Sequence, residues 1–361
     1  MAGEDTTSSA LEPAPVPPLS LDSLDPDFLN KTAAKLIDAT WKSGLPQWSW
    51  GEGVYLLAEV RYRESANNGY PERLKKWFYQ WNAITSGHVN NVAPGAAALR
   101  LAAQKELDAQ DIEIQIENWL ADKSSVTYSE FGAIEHWPGS VWADTCYMWG
   151  QYRLNSALIK TDSEMIEAVG TQLTAHIQHL FSEQTGLFAH GSYRGTTLWN
   201  YWGRGNAWMA LSMVEFLETC SALNYSSPKI NRIKEVLDQQ LQSLRRLQPE
   251  YGIWDVLVDG QIENKGILET SASAGIGAAM LRAMKYLPSS KNELEKSGSL
   301  AVRAALAYIN ESGVLTRTSA GTVLQLIPFG YSVIRSDRLQ LWGQGLALNA
   351  LTALVNNLSA Q

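Results

Sequence analysis

The sequence has little cysteine, no long apolar run and no excess of positive charge. Only Cys146 and Cys220 are present among 361 residues, which is too few for a disulfide framework, and no zinc-type spacing occurs. We expect both to be reduced thiols packed on helices. No segment reaches the roughly 18 consecutive apolar residues that indicate a membrane-spanning helix.

The balance of charge limits the partners of the chain. The formal net charge is −8 and the isoelectric point is about 5.3. Nucleic acids and acidic membranes require basic surfaces, so neither is an expected partner. A small-molecule substrate, including an anionic one held by one or two arginines, remains compatible. The N-terminal residues lack a basic segment followed by an apolar one, which predicts a cytoplasmic location.

The chain divides into a short tail and one large domain. Residues 1–20 are rich in Pro, Ser and Ala, a composition that predicts a disordered tail. Residues 21–361 are predicted to form one catalytic domain. Hydrophobic residues make up 45% and charged residues 18% of the sequence, which allows a large buried core.

Two kinds of segment alternate six times along this domain. Amphipathic segments with many charges lie at 27–42, 70–86, 108–120, 161–182, 228–247 and 293–311. Segments of small, mostly apolar residues lie at 53–63, 94–104, 141–154, 205–218, 271–286 and 343–355.

This alternation predicts an all-α fold of the (α/α)6 toroid type. A helix that is polar on one face lies outside, and a helix that is apolar nearly all round is buried. Six outer and inner pairs close a ring, although an irregular bundle or an open solenoid is the alternative. The even count and the glycines at the inner-helix starts favour the ring. Short β hairpins are predicted within long loops at 251–260 and 314–334.

The loops that enter the inner helices carry most of the unusual residues. The chain has 14 Trp and 14 Tyr, and many lie in these loops. In a ring of alternating helix directions, all inner helices begin at the same rim, so the loops meet at one mouth. Aromatic faces there stack on sugars or other flat ligands. The alternative is that the aromatic residues fill the ring as core.

Asp144 lies in the segment Val-Trp-Ala-Asp-Thr-Cys-Tyr-Met at 141–148, near the start of an apolar helix. Burial disfavours a charged carboxylate, so we expect a raised pKa, as a general acid near neutral pH requires. The alternative is a carboxylate that stabilises the helix N-terminus.

Arg204 lies among glycines and aromatic residues in Trp-Asn-Tyr-Trp-Gly-Arg-Gly-Asn-Ala-Trp at 199–208. A guanidinium at a helix start suits a carboxylate or polar oxygen ligand. Structural stacking on Trp202 or Trp208 is the alternative.

Histidines supply further candidates. His190 lies in the loop that precedes the Arg204 segment, and His88 precedes another inner helix. A lone histidine is more often structural, but both lie at the predicted mouth. His176 and His179 are three residues apart on a charged outer helix without carboxylates in ligand spacing, which predicts a solvent-facing pair.

Five segments resemble glycoside hydrolase family 105, the unsaturated rhamnogalacturonyl hydrolases, and the related unsaturated glucuronyl hydrolases of family 88. They occur in the family order and span most of the chain. The segments are Val-Trp-Ala-Asp-Thr-Cys-Tyr-Met at 141–148, Gly-Leu-Phe-Ala-His-Gly at 186–191, Trp-Gly-Arg-Gly-Asn-Ala-Trp at 202–208, Leu-Glu-Thr-Ser-Ala-Ser-Ala at 268–274 and Gly-Gln-Gly at 343–345. The resemblance also implies the (α/α)6 fold.

The resemblance implies a mechanism without a metal or organic cofactor. Such enzymes protonate the C4=C5 double bond of an unsaturated uronic acid and add water, giving a hemiketal that opens and expels the neighbouring sugar. Asp144 becomes the general acid/base. By the same resemblance, His190, Trp202 and Arg204 hold the sugar and its carboxylate. Further residues predicted to bind the substrate, beyond those that the resemblance supplies, are His88, Asn91, His136, Trp142 and Trp208.

Two positions depart from the family pattern. The family places a second Asp at the start of the second inner helix, where this sequence has Asn90 and Asn91. The family pattern His-Gly-Trp/Tyr-Asp reads His190-Gly-Ser-Tyr193, which lacks the acid.

Three functions remain open from the sequence. One is an intracellular glycosidase of carbohydrate metabolism that acts on an unsaturated uronyl disaccharide. A second is a repurposed toroid that uses Asp144 for isomerisation, cyclisation or dehydration of a non-sugar metabolite. A catalytically silent binding protein is the third, although Asp144, His190 and Arg204 together argue against it. An inverting glycosidase with Glu135 or Glu269 as second carboxylate is a weaker reading.

Overall fold

The computed structural model describes residues 14–81, 83–84 and 87–359, and these form six helical hairpins. The outer helices are α1 (Pro26–Ser43), α3 (Glu72–Tyr79), α5 (Gln110–Ala121), α7 (Ser163–Leu180), α9 (Lys229–Arg246) and α11 (Lys291–Leu306). The inner helices are α2 (Trp50–Ser65), α4 (Ala93–Ala103), α6 (Ala143–Lys160), α8 (Gly203–Ala222), α10 (Thr270–Ala283) and α13 (Leu341–Ser359). Each predicted segment overlaps its helix, and a short helix, α12 (Phe329–Ser332), lies before α13.

The inner helices form a closed ring. Each packs on the next, and α13 packs on both α10 and α2, so the sixth inner helix joins the fifth to the first. The outer helix of each hairpin covers this ring, as α7 covers α6 and α11 covers α10. The predicted (α/α)6 toroid is therefore confirmed, and the open solenoid is not.

Close approach of the inner helices depends on glycine. A Cβ at Gly53 of α2 would lie 2.5 Å from the Pro94 nitrogen, and one at Gly345 of α13 would lie 2.9 Å from the Tyr55 Cα. No side chain fits at such separations. The small-residue composition that marked these segments in the sequence thus sets the diameter of the ring.

The outer helices bury one face only. In α9 the buried residues follow a spacing of three and four, from Ile233 and Val236 to Leu241 and Leu244. In α6, by contrast, every residue from Ala143 to Tyr152 is buried. This contrast is the structural form of the two alternating sequence patterns.

Four short strands lie between α7 and α8. They form two antiparallel hairpins, β1 (Phe181–Ser182) with β2 (Leu187–Phe188) and β3 (Gly191–Tyr193) with β4 (Thr196–Leu198). The hairpins predicted at 251–260 and 314–334 were wrong. The described residues there pair through single bridges to other loops, such as Leu257 with Trp202, and include α12. Their β-branched residues fill loop contacts, which strand propensity does not distinguish from a ladder.

Two further sequence predictions concern buried polar groups and thiols. Cys146 and Cys220 are free and buried, as predicted. The solvent-facing prediction for His176 and His179 was wrong, since both are buried. The Nδ1 of His176 lies 2.8 Å from the Gln172 carbonyl, and the Nε2 of His179 lies 2.7 Å from the Ser129 hydroxyl.

The predicted tail falls largely outside the described residues, which begin at residue 14. Of its described part, the Val16 amide donates to the Tyr308 hydroxyl at 2.8 Å. The Leu19 carbonyl accepts from Arg303 at 2.6 Å. Within the part of the chain that the structure describes, no helix is long and apolar enough to cross a bilayer.

The end of the ring at which the inner helices terminate holds a network of paired charges. Both terminal nitrogens of Arg61 donate to Glu215 at 2.6 Å, and Arg282 joins Glu215 at 3.2 Å to Glu218 at 2.5 Å. Burial raises the pKa of Glu215, but Arg61 and Arg282 lower it by more, to about 2. The network borders a cavity of about 1040 Å³, and its arginines suit the negative ends of helix dipoles.

Candidate active site

At the opposite end of the toroid the inner helices begin, and aromatic side chains there connect one helix start to the next. Trp50 at the start of α2 stacks on Trp342 at the start of α13, with centroids 4.5 Å apart. The Arg204 guanidinium lies over Trp342 at 5.6 Å and over Trp202 at 4.4 Å. Trp202 in turn contacts His190 at 4.2 Å. Three separate inner-helix starts therefore meet here.

The same series of contacts between aromatic side chains continues to the starts of α6 and α4. His190 contacts Trp142 at 5.1 Å, and Trp142 stacks on His136 at 4.0 Å with their planes 3° apart. His136 contacts His88 at 5.0 Å. The loops predicted to converge at one mouth thus lie together, and their aromatic faces form its wall.

Asp144 lies in the first turn of α6 and is 7% exposed. Its Oδ2 is 3.6 Å from the Nε2 of His190, slightly beyond hydrogen-bond length. The backbone holds the two residues together, because the Ala143 amide donates to the His190 carbonyl at 3.0 Å. The adjacent amide pairing of Ser192 with Val141 at 2.8 Å extends this contact.

The charge state of Asp144 differs from the sequence prediction of a raised pKa. Burial raises the pKa of its carboxyl, but the facing His190 imidazole and the charge of Arg204 lower it by more. The pKa therefore lies below the usual value, and the prediction was wrong. Sequence indicated burial but not the groups that stabilise the anion.

The three histidines of this mouth are neutral near pH 7. Burial lowers the pKa of His190 and of His88, and it lowers the pKa of His136 to about 3. The Nδ1 of His136 lies 3.1 Å from the Thr145 hydroxyl. Neutral imidazoles offer one donor and one acceptor each, which suits hydroxyl groups of a ligand.

Several buried polar atoms of the mouth have no hydrogen-bond partner within the described residues. They are His88 Nδ1, Asn90 Oδ1, Asp144 Oδ2, His190 Nε2 and Trp202 Nε1. Such atoms cost free energy unless a ligand or solvent satisfies them. Their proximity to Asp144 and to the facing His190 makes this end of the ring the candidate active site.

The structure distinguishes the two asparagines at the start of the second inner helix. Asn91 braces α2, since its Oδ1 accepts from the Trp50 amide at 3.3 Å and its carbonyl accepts from Trp48 at 2.8 Å. Asn90 is 2% exposed and is the one whose side-chain oxygen is unpartnered among the described residues. Substrate binding by Asn91 stays a prediction, and Asn90 becomes the stronger candidate.

Arg204 is fully buried and has extensive contacts within the protein. Its Nη1 donates to Glu269 at 2.8 Å and to the Ser319 carbonyl at 3.0 Å, and its Nη2 donates to the Ala320 carbonyl at 3.0 Å and to Thr322 at 3.2 Å. The guanidinium thus anchors the connection between α11 and α13. Its predicted contact with a substrate carboxylate stays a prediction.

The remaining sequence candidates lie near this mouth in supporting positions. Trp208 is fully buried and stacks on Tyr147 at 4.6 Å, deeper along α8. Glu269 caps α10 by accepting from the Ser271 amide at 3.1 Å, in addition to its pair with Arg204. Glu135 accepts from the Gly139 amide at 2.9 Å. Both glutamates therefore have structural partners, which weakens the reading of either as a second catalytic carboxylate.

Sequence reasoning missed Tyr331. Its hydroxyl lies 2.8 Å from the Nδ1 of His190, and both residues are fully buried. No motif points to it, because it lies in the segment predicted as a β excursion. Within residues 14–81, 83–84 and 87–359, no three His, Cys, Asp or Glu side chains are grouped as a metal ion requires.

Comparison with known proteins gives one family and several relatives. The family model described as Glycosyl Hydrolase Family 88 matches residues 24–358. A curated relative, the unsaturated rhamnogalacturonyl hydrolase YesR of Bacillus subtilis, is 29% identical over 321 residues, which cover 84% of this chain and 88% of the relative.

Solved structures share the fold. A possible member of the GH105 family from Salmonella enterica superposes with a TM-score of 0.79 at 22% identity, covering 94% of this chain and 97% of the other. The unsaturated glucuronyl hydrolase of Bacillus sp. GL1 superposes with a TM-score of 0.66 at 15% identity, covering 90% and 96%.

Proposed function

Because the chain belongs to Glycosyl Hydrolase Family 88, we propose that it is an unsaturated uronyl hydrolase that protonates and hydrates a C4=C5 double bond. The observation that carries this proposal is Asp144, buried at the aromatic mouth and facing His190 at 3.6 Å. The names of its relatives supply the substrate class, an unsaturated uronyl saccharide.

The aromatic wall and the unpartnered polar atoms divide the work of binding. Trp142 and Trp202 are buried, with His136 stacked on the first and Arg204 over the second, so they shape the wall of the site around the sugar. His88 Nδ1 and Asn90 Oδ1 have no partner within the described residues, so sugar hydroxyls satisfy them in the complex. Such polar atoms give orientation and selectivity, while the aromatic faces exclude water.

Asp144 carries the proton in both directions. Its acid form donates a proton to C4, and positive charge develops at C5 beside the ring oxygen. Water then adds its oxygen to C5 and returns a proton to the Asp144 carboxylate, which regenerates the acid. The hemiketal at C5 opens, and the neighbouring sugar is released. One water molecule is consumed.

The low pKa of Asp144 leaves its carboxyl ionised in the free protein, whereas the first step requires the acid form. The substrate is itself a carboxylate, and a second negative charge nearby raises the pKa of the first. Binding therefore promotes protonation of Asp144 inside a site whose histidines are neutral. Proton uptake accompanies formation of the complex, and calorimetry in buffers of different ionisation enthalpy measures it.

The direct test is the ultraviolet absorbance of the conjugated C4=C5 bond in a panel of unsaturated uronyl disaccharides. We expect absorbance to be lost with the wild type and retained with Asp144→Asn. The fastest substrate defines the neighbouring sugar. If folded wild type consumed no member of the panel, the proposal would be wrong, and acid–base chemistry on a non-sugar metabolite would become the leading reading.

The partners and the cellular location of the chain are part of this proposal. The relatives support a small carbohydrate substrate, and the net charge of −8 disfavours a nucleic-acid partner. The cytoplasmic location stays a prediction, which cell fractionation tests.

A further inference from the structure

A long connection runs from α11 to α13 and passes over the candidate active site. It carries α12 and, within α12, Tyr331, whose hydroxyl lies 2.8 Å from the Nδ1 of His190. Both side chains have no exposed surface. A hydrogen bond in such surroundings is not shared with solvent, so its direction constrains both partners.

The direction of this bond follows from the protonated phenol and from the partner that its hydroxyl has. Burial raises the pKa of Tyr331 well above its usual range, so the phenol keeps its proton. A buried hydroxyl proton without an acceptor is costly, and among the described residues the hydrogen bond of this hydroxyl is with the Nδ1 of His190 at 2.8 Å. The phenol proton is then left to donate, and the Nδ1 of His190 is the acceptor within reach.

The tautomer of His190 follows from that direction. Burial lowers its pKa, so the imidazole is neutral and carries one proton. With Nδ1 accepting from Tyr331, the proton lies on Nε2. The reverse tautomer would aim two donors at each other or leave the buried phenol proton unpaired, which is costly.

We propose that Tyr331 is a positioning residue that holds His190 as the Nε2–H tautomer, so that Asp144 is met by a donor. The Nε2 of His190 faces the Asp144 Oδ2 at 3.6 Å. With a bare Nε2, two lone pairs would face each other across this gap. The inference rests on the proposed function for its kinetic consequence, but the tautomer itself does not depend on the substrate.

The connection is fastened so that Tyr331 cannot drift from His190. Asn200 donates to the Gln325 carbonyl at 2.8 Å, and Asn264 donates to the Pro328 carbonyl at 3.0 Å. Arg204 holds the same connection further upstream through the Ser319 and Ala320 carbonyls. Three side chains from the ring and its loops therefore tether the segment that carries the tyrosine.

The imidazole is restrained from its own side as well. Trp202 and Trp142 contact it at 4.2 and 5.1 Å. The His190 amide donates to the Asn200 carbonyl at 3.0 Å. These contacts fix the orientation of the His190 imidazole, and Tyr331 determines which of its nitrogens carries the proton.

The first arm of the test is the nitrogen chemical shift of His190 in full-length protein labelled with ¹⁵N-histidine. The chain has 5 histidines, and the spectrum of His190→Gln assigns the signal by its disappearance. We expect the Nε2–H pattern in the wild type and a mixture of tautomers in Tyr331→Phe. An Nδ1–H pattern in the wild type would overturn the proposal whatever the enzyme consumes.

The second arm is kinetic and uses the best substrate of the uronyl panel. Tyr331→Phe is expected to lower kcat about tenfold with KM nearly unchanged, because the Asp144 carboxyl loses the donor that orients it for proton transfer, and one lost buried hydrogen bond has this size. Tyr308→Phe is the matched control, since Tyr308 is buried and its hydroxyl binds Val16. It should alter neither the His190 signal nor kcat. An unchanged signal and unchanged kcat in Tyr331→Phe would refute the positioning role.

The two arms separate failure of this inference from failure of the proposed function. If no uronide is consumed but the Nε2–H pattern depends on Tyr331, the proposed function fails and the positioning contact stands. If uronides are consumed and the pattern is insensitive to Tyr331, the inference fails alone.

Discussion

The two ends of the ring use polar residues in opposite ways. At the end where the inner helices terminate, charged groups are paired: Glu215 binds both Arg61 and Arg282. At the end where the helices begin, buried polar atoms of Asp144 and His190 have no hydrogen-bond partner within the described residues. The first arrangement stabilises the fold, and the second leaves groups available for a ligand.

This difference locates function more sharply than cavity size does. The cavity of about 1040 Å³ lies at the end with paired charges. A pocket whose charges neutralise one another has little left with which to recognise a ligand. Unsatisfied buried polar groups are costly, and proteins keep them where chemistry requires them. Variants at the two ends should therefore separate activity from stability.

The largest effect is expected from Asp144→Asn. It keeps the shape of the side chain and removes its proton transfer, so kcat/KM should fall by roughly 10³-fold, within the range of general acid–base catalysis. The free energy of unfolding should change by less than about 1 kcal/mol, because the carboxylate has few partners to lose. Steady-state kinetics and urea unfolding measure both. Substantial residual activity would contradict the catalytic role.

The converse variant is Glu215→Gln. It leaves Arg61 and Arg282 without their shared anion, and breaking a buried pair costs roughly 3–5 kcal/mol. The urea midpoint should fall, while kcat/KM of the remaining folded enzyme should stay within about twofold of the wild type. Loss of activity without loss of stability would show that the two ends are not independent.

Acid should lower the free energy of unfolding of the wild type through protonation of Glu215. The pKa of Glu215 is about 2 in the fold, against 4.5 as its usual value. Its stabilisation is therefore present above pH 4.5 and is lost as the pH falls toward 2, about 3 kcal/mol in all. Urea midpoints across this range measure the loss. Glu215→Gln should show a flatter dependence, and an equally steep one would place the titrating group elsewhere.

The pH dependence of catalysis should follow Asp144. Its pKa in the free protein lies below the usual value, and the acid form is the one that donates. Above that pKa, kcat/KM should fall up to about tenfold for each unit of rising pH. Initial rates in a set of overlapping buffers measure the profile. A rate that rises with pH would mean that the carboxylate acts first as a base on water.

The smallest effect is expected from Arg100→Lys. Arg100 binds Glu64 and also donates to Asn155 at 2.9 Å, but its side chain is 26% exposed. Lysine keeps the charge and loses the forked geometry, so the free energy of unfolding should drop by about 1 kcal/mol. Thermal unfolding measures this shift, and unchanged kinetics complete the comparison. A loss of unfolding free energy as large as that of Glu215→Gln would mean that solvent exposure does not weaken the ion pairs at this end of the toroid.

The ring itself could be predicted from sequence because its rule is periodic. Small residues mark the inner helices, as Gly53 and Gly345 show, and one-sided apolar spacing marks the outer ones. Each hairpin repeats both signals, so errors at single positions do not change the result. The start of α6 could be placed for the same reason, together with Asp144 in its first turn.

The details of the site could not be predicted because they depend on contacts between distant segments. Tyr331 meets His190 across 141 positions, and no local pattern records that meeting. The same holds for Arg204, whose partners on the connection between α11 and α13 have no motif of their own. The pKa of Asp144 was misjudged because burial is visible in sequence and a facing imidazole is not.

The surface prediction for His176 and His179 failed for a related reason. The outer helix α7 has charged residues, and the charges suggested that both histidines face solvent. Both are instead buried, with His176 at the Gln172 carbonyl of the same helix and His179 at the Ser129 hydroxyl. Histidine occurs on both the buried and the exposed faces of helices, so its spacing in the sequence does not predict which face it occupies.

Closure of the ring has a consequence for the order in which the protein folds. The Gln344 side chain of α13 reaches the Leu36 carbonyl of α1, a contact that spans 308 positions. Until α13 has left the ribosome, α2 and α10 each lack a neighbour, so translation of the sixth hairpin must precede completion of the core. Contacts of such separation form slowly. The interface between α13 and α2 is therefore the last part of the toroid to form, and the apolar surfaces of these two helices are exposed to aggregation for longest during synthesis.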